Sequence, residues 1–235
     1  MEHHDKKILV AIPSMDTVPA RFAQSLAMLQ SVDDTKVMFN IGSLVYMSRE
    51  TLCVHAVKME ADYMLWLDSD MIFDPDLLRR MMKTMDDNGL DILTGVYYRR
   101  TGNYSPVLYK KIEFDEQGRC TWQELWDVPA PDSGLFEVEG CGFGCVLMKT
   151  DVILDVKGRF DKLFTPICGT GEDLSFCWRA RQCGYRIMCD SSIPLGHYGH
   201  IVVTRDFWEA SHASYRGTDQ RGEDGAKNDD QRVRQ

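Results

Sequence analysis

The sequence predicts an α/β fold with a mostly parallel central sheet and helices on both faces. Two observations predict it. Short apolar runs alternate with helical patterns over the first hundred residues, the order expected of right-handed βαβ units. The run YMLWL at 63–67 is apolar at five successive positions, as a strand covered on both faces must be.

The elements follow in order. KKILVAIPS (6–14) reads as a buried strand that stops at Pro13-Ser14. PARFAQSLAMLQ (19–30) carries Phe22, Leu26 and Leu29 at helical spacing. TKVMFNIG (35–42) predicts a second strand and RETLCVHAVKM (49–59) a second helix. YMLWL then runs into DSD. Asp74-Pro75 marks a helix start, with a capping carboxylate and proline at the first helical position. That helix places Leu78, Met81, Met82 and Met85 on one face and stops near Gly89. DILTGVYY (91–98) is a further strand.

The pattern changes after residue 104. VLYKKIEF and RCTWQELW flank DEQG as a hairpin, and LFEVEGCGFGCVLM forms a glycine-interrupted strand. TDVILDVKG is a short helix closed by Gly158. GEDLSFCWRARQCG is another, stopped by Gly184. YRIMCD (185–190) is the last short strand, so LGHYGH (195–200) falls beyond it. From Arg216 onward only Ala226 and Val233 are aliphatic, which predicts a disordered tail over 217–235.

Composition narrows the function classes. With 44% hydrophobic and 27% charged residues, the chain reads as a soluble globular protein. A net charge of −9 argues against a nucleic-acid backbone as main partner. No apolar stretch approaches the ~20 residues that span a bilayer, and MEHHDKK does not open a signal peptide. A cytoplasmic enzyme with free, buried thiols is expected from the eight cysteines, which sit inside apolar patterns. The spacing of Cys141 and Cys145 also leaves a bridge or a zinc site open.

Three groups carry candidate chemistry. Asp68 and Asp70 end a buried strand, where parallel sheets bind ligands. Two carboxylates there suit Mg²⁺ or Mn²⁺ with a phosphate-rich ligand. Glu172 and Asp173 open a helix. The macrodipole favours acids there by ~0.3–1 kcal/mol whatever their function, and it would also keep a catalytic carboxylate ionised. His197 and His200 flank a glycine in LGHYGH, and imidazole is a good further ligand beside carboxylates. Arg99 and Arg100, after the fourth strand, read as a solvated loop or as contacts to phosphate or acceptor.

The ordered set of YMSRETL, YMLWLDSDM, GCGFGCVLMKTDV, GEDLSFCWRARQCGYRI and LGHYGH resembles the GT-A glycosyltransferases, in particular small soluble family-2-like enzymes of bacteria and phages. The match covers roughly residues 6–205. It implies one GT-A domain over 1–216, with a nucleotide-sugar half (1–100) and an acceptor half (101–216). By this resemblance Pro13, Ser14 and Arg49 line the nucleoside pocket. Asp68 contacts the ribose or reaches the metal through water, and Ser69 joins the donor-binding set. Asp70 and His197 ligate Mn²⁺ or Mg²⁺. Asp173 is the base, and Glu172 orients the acceptor.

The activity implied is transfer of a sugar from a UDP- or GDP-sugar to a hydroxyl of a glycan, lipid-linked or protein acceptor, with inversion. A metal-dependent nucleotidyltransferase or a non-catalytic sugar-nucleotide binder is the alternative. The Q-x-x-R-W of membrane polysaccharide synthases is absent, which argues against processive synthesis. Between the two histidines, His197 is favoured because Ile193-Pro194-Leu195 should anchor it against the sheet.

Overall fold

The computed structural model describes residues 5–42, 44–117, 119–199 and 202–212. The tail expectation for 217–235 and the alternative ligand His200 lie outside them. The first half alternates as its sequence predicts: β1 (Lys7–Ser14), α1 (Ala20–Met28), β2 (Asp34–Ile41), α2 (Val45–Lys58), β3 (Tyr63–Leu67), β4 (Met71–Phe73), α3 (Leu77–Asn88) and β5 (Ile92–Val96). The second half brings β6 (Leu108–Phe114), β7 (Cys120–Glu124), β8 (Leu135–Val138), β9 (Gly140–Cys141) and β10 (Cys145–Lys149). It ends with α4 (Thr150–Phe160), α5 (Glu172–Gln182), β11 (Ile187–Tyr198), β12 (Val202–Val203) and a helical segment over 205–212.

The main sheet has the order β12-β11-β5-β10-β3-β1-β2. β1 runs parallel to β2 and β3, and β11 runs parallel to β5. β10 is antiparallel to both β3 and β5, so these two share a direction and β10 alone is reversed among the central strands. Helices cover both faces. Cys145 pairs with Leu67 and meets Met81 of α3 at 3.7 Å between sulfurs, whereas the neighbouring Trp66 points the other way, toward α2. All five residues of β3 are buried, as a strand between two helical layers must be. β6, β7 and β9 form a separate three-stranded sheet beside the main one.

Four local expectations are corrected. Asp74 does not cap α3: the helix starts at Leu77 after Asp76, and the Asp74 carbonyl accepts the Leu77 N–H in a preceding turn at 3.1 Å. Pro75 therefore opens that turn rather than the helix, which begins two residues later. Gly158 does not close α4. The helix continues to Phe160, and Asp161 takes the left-handed stop at φ 57°. The single glycine-interrupted strand at 135–148 is three strands, β8, β9 and β10. Lastly, YRIMCD is only the beginning of β11, which continues for twelve residues through Tyr198. Its Pro194 sits at a register shift against β5, where a missing N–H is tolerated.

No helix among the described residues is long and apolar enough to cross a membrane. Cys141 and Cys145 do not meet; Cys141 packs on Cys177 and Cys145 on Met81.

Candidate active site

β3 ends at Leu67 and the chain turns. The Asp68 N–H donates to the Gly144 carbonyl at 3.1 Å, and the Asp68 carbonyl accepts the Met71 N–H at the same distance. This turn carries Asp68, Ser69 and Asp70 over the carboxyl end of the sheet. β4 leaves the turn antiparallel to β11, with Met71 opposite His197. The Tyr198 N–H donates to the Asp70 carbonyl at 2.7 Å. The strand register therefore brings the histidine to the second aspartate. Their side chains approach with Nε2 of His197 3.5 Å from Oδ2 of Asp70.

The imidazole is oriented from behind. Its Nδ1 lies 2.8 Å from the Tyr98 carbonyl, which can only accept, so Nδ1 carries a proton and Nε2 is turned toward Asp70. Backbone carbonyls behind metal-binding histidines do the same. Tyr97 closes the other side, its ring edge-on to His197 with centroids 5.6 Å apart. The Tyr97 hydroxyl accepts the Gly144 N–H at 3.1 Å. A Cβ at Gly144 would stand 2.7 Å from Tyr97 Cζ, and one at Gly142 would collide with the hydroxyl. The glycines of GCGFGC thus make room for a buried tyrosine ring.

The two aspartates of the turn face different cations. Asp68 Oδ1 accepts from Nη2 of Arg49 at 2.8 Å. Burial pushes the Asp68 carboxyl above its ordinary value, although Arg49 pulls it down. Burial also pushes Asp70 upward, but His197 and Arg100 outweigh it and leave that carboxyl below its ordinary value. Nη1 of Arg100 lies 2.5 Å from Asp70 Oδ2 and donates to the Tyr198 carbonyl at 3.1 Å.

α5 supplies the third group. Gly171 precedes it because a Cβ there would lie 2.9 Å from Asp173 Oδ1. That oxygen accepts the Leu174 N–H at 2.8 Å. Burial, then the charge of Glu172, pushes the Asp173 carboxyl up to about 6. Glu172 turns toward Arg49, with Oε1 3.5 Å from Nε.

A cleft of about 310 Å³ joins these parts. Pro13, Ser14, Arg49, Asp68, Ser69, Asp70, Glu172 and His197 all line it, together with Arg100. Asp173 is not among its lining residues, but lies close enough to influence Arg49 and Tyr97. Tyr97 and Tyr98 escaped the sequence reading. The signal was present as an aromatic pair at the end of β5, opposite a glycine-rich strand. Of the two arginines after β5, the structure sets Arg100 on Asp70 and Arg99 on Glu124.

Among the described residues no three His, Cys, Asp or Glu side chains are grouped to hold a metal ion. Asp70 and His197 are nevertheless a fitting pair: a carboxylate oxygen and an imidazole nitrogen, 3.5 Å apart, with the ring orientation fixed by the Tyr98 carbonyl. Two such donors match a cation whose remaining positions are taken by phosphate oxygens and water.

Residues 56–156 match the model of glycosyl transferase family 2, a segment that includes Asp68 and Asp70 and ends before Glu172. The sequence matches none of the curated proteins. Among solved structures, A197 from STIV superposes with a TM-score of 0.59 at 19% identity, over 84% of this chain and 93% of that one. GalNAc-T7 with UDP, GalNAc and Mn²⁺ superposes with a TM-score of 0.56 at 10% identity, over 84% of this chain and 44% of that one. This chain therefore spans less than half the length of GalNAc-T7. At these identities the likeness is one of fold.

Proposed function

We propose, from the family-2 match over residues 56–156 and the fold shared with the solved neighbours, that this chain transfers a sugar from a UDP- or GDP-sugar to an acceptor hydroxyl, with Mn²⁺ or Mg²⁺ and with inversion. The family match and the fold support glycosyl transfer in general. The observation that carries the finer reading is the cleft. It gathers the strand end at Pro13-Ser14, the D-S-D turn, His197 and Glu172 around one space, with a raised carboxylate beside it. The likeness to GalNAc-T7 with UDP, GalNAc and Mn²⁺ supports the donor and the cation by analogy of fold.

Pro13 and Ser14 are assigned to the nucleoside, and with Asp68 and Ser69 they border one cleft. A cation held by Asp70 and His197 would supply Lewis-acid stabilisation to the departing diphosphate. Arg100, with 46% of its side chain exposed, can meet phosphate oxygens from the rim. In the reaction the anomeric C–O bond to the diphosphate breaks and its electron pair leaves with the diphosphate. A new bond forms between the anomeric carbon and the acceptor oxygen, and the hydroxyl proton goes to Asp173. A carboxyl pushed up to about 6 is ionised at neutral pH yet basic enough to take that proton. Glu172, which lines the cleft and pairs with Arg49, is assigned to orienting the acceptor. Free cysteines suit a reducing, cytoplasmic setting.

The test is a thermal-shift screen of UDP, GDP and their sugars with and without Mn²⁺, followed by product analysis. Stabilisation that requires both nucleotide and cation is expected, with release of a nucleoside diphosphate on turnover. Release of pyrophosphate from a sugar phosphate and nucleoside triphosphate would mean a nucleotidyltransferase instead. Binding without turnover of any sugar nucleotide would leave a non-catalytic binder.

A further inference from the structure

Arg49 is the most deeply buried cation of the site. Its side chain is 2% exposed, and its guanidinium carbon lies 5.5, 5.3 and 5.8 Å from the ring centres of Trp66, Phe143 and Phe164. Nη2 donates to Asp68 at 2.8 Å. Nε faces Glu172 at 3.5 Å as an ion pair, and neither Nε nor Nη1 has a hydrogen-bond partner. A guanidinium has five donors, and burying it with most of them unused is unfavourable. A methionine of similar length would fill this aromatic cage without that cost, so packing does not explain a cation here.

Nor is Arg49 needed to fasten the neighbouring loop. Glu50, the next residue, does that by accepting the N–H groups of Leu163 and Phe164, each at 2.8 Å. What Arg49 alone does is connect two parts of the cleft that come from distant segments. One is the Asp68 turn at the end of β3, which borders the donor. The other is the start of α5, which carries Glu172 and Asp173. Both carboxylates that it touches are partly buried, and so is Asp173 one residue on. Without a shared counter-ion, three carboxylates would converge at low dielectric and repel.

We propose that Arg49 is a positioning residue: its buried guanidinium bridges Asp68 of the donor-side turn and Glu172 at the start of the acceptor-side helix, and so sets where the neighbouring Asp173 stands. The proposal rests on the transferase reading for its consequence, but not for the link itself. Asp173 is faced by Glu172 and the Leu174 N–H on its own helix, and by Arg49 from α2. Asp68 faces it from the turn, Tyr97 from the residue after β5, Tyr109 from β6 and Cys141 from β9. Among these groups Arg49 is the cation. Its removal should therefore raise the titration midpoint of Asp173.

The experiment uses the full chain carrying ¹³C-labelled aspartate carboxyls, with Asp173→Asn to assign the resonance. In Arg49→Met the Asp173 midpoint should rise by about one pH unit, the lower end of what a nearby opposite charge contributes. Arg49→Lys keeps a cation too short to span both carboxylates, and should hold the midpoint near the wild-type value. Where a sugar nucleotide is turned over, both variants should lose kcat, Arg49→Met by about 10²-fold and by more than any loss of calorimetric affinity for UDP or GDP. An unchanged midpoint in Arg49→Met overturns the link. Lost nucleotide affinity with unchanged kcat makes Arg49 a donor-binding residue and overturns it as well. If Arg49→Met does not fold, Arg49→Lys decides by its kcat against nucleotide affinity. A raised midpoint in a chain that binds no nucleotide keeps the link and removes the transferase reading.

Discussion

Asp70 and Asp173 are both partly buried, and burial pushes both carboxyls upward, yet they end on opposite sides of the ordinary aspartate value. Asp70 meets His197 and Arg100 directly and falls below it. Asp173 meets Glu172 first, with Arg49 too weak to compensate, and rises to about 6. A carboxylate held ionised across the physiological range suits cation binding. One near 6 suits proton transfer at neutral pH. Neighbouring charges, supplied by different elements, set two identical side chains on opposite sides of that value, as the proposed division into a binding group and a base requires.

The sharpest way to break this contrast is Asp173→Asn. The amide oxygen still accepts the Leu174 N–H, so the helix start is kept. Turnover should fall by ~10²–10⁴ while nucleotide affinity is retained. Steady-state release of nucleoside diphosphate reads the first quantity and calorimetry the second. Near-normal turnover would return Asp173 to a helix-terminus role.

On the donor side, Asp70→Ala should remove the Mn²⁺-dependent part of nucleoside diphosphate binding without unfolding the chain. His197→Ala should weaken Mn²⁺ binding in the presence of nucleotide by about 10–100-fold, the range for losing a metal-site group. A Mn²⁺ titration compares the two. If neither variant changes it, the cation is held elsewhere and Asp70 belongs to Arg100 alone.

The pH dependence separates the two aspartates again. The base must be ionised, so kcat should be steady above about 6 and fall roughly tenfold per unit below it. A flat acidic limb down to pH 5 would contradict the raised Asp173.

The smallest effect is on stability. The folded-state value of Asp173 lies above the ordinary unfolded value, so its contribution to stability is present at low pH and is lost as pH rises through about 6. The melting temperature of Asp173→Asn, relative to wild type, should therefore rise between pH 4 and pH 8. A constant difference across that window would mean that the carboxyl is not perturbed.

Much of this site was legible before any coordinates. YMLWL is apolar at every position because both faces of β3 are covered, and the chain must turn polar where that cover ends, at Asp68-Ser69-Asp70. Gly171-Glu172-Asp173 opens α5 as its sequence predicts, and Gly184 stops it with φ 94°. These are local facts: burial period and helix-end chemistry are written within a few residues of where they act.

Only the tertiary structure decided the rest. β10 slips between β3 and β5, pairing with residues roughly eighty and roughly fifty positions away, a choice of partner invisible to periodicity. β11 runs through Pro194 and Gly196, which read locally as breakers, because β4 and β12 supply partners along its second half. That pairing, not a loop, sets His197 against Asp70. Arg49 looked like a pocket-lining residue on a helix. Its burial among three aromatic rings and its bridge between Asp68 and Glu172 come from three distant segments meeting, so no local pattern of charge or apolarity could encode them.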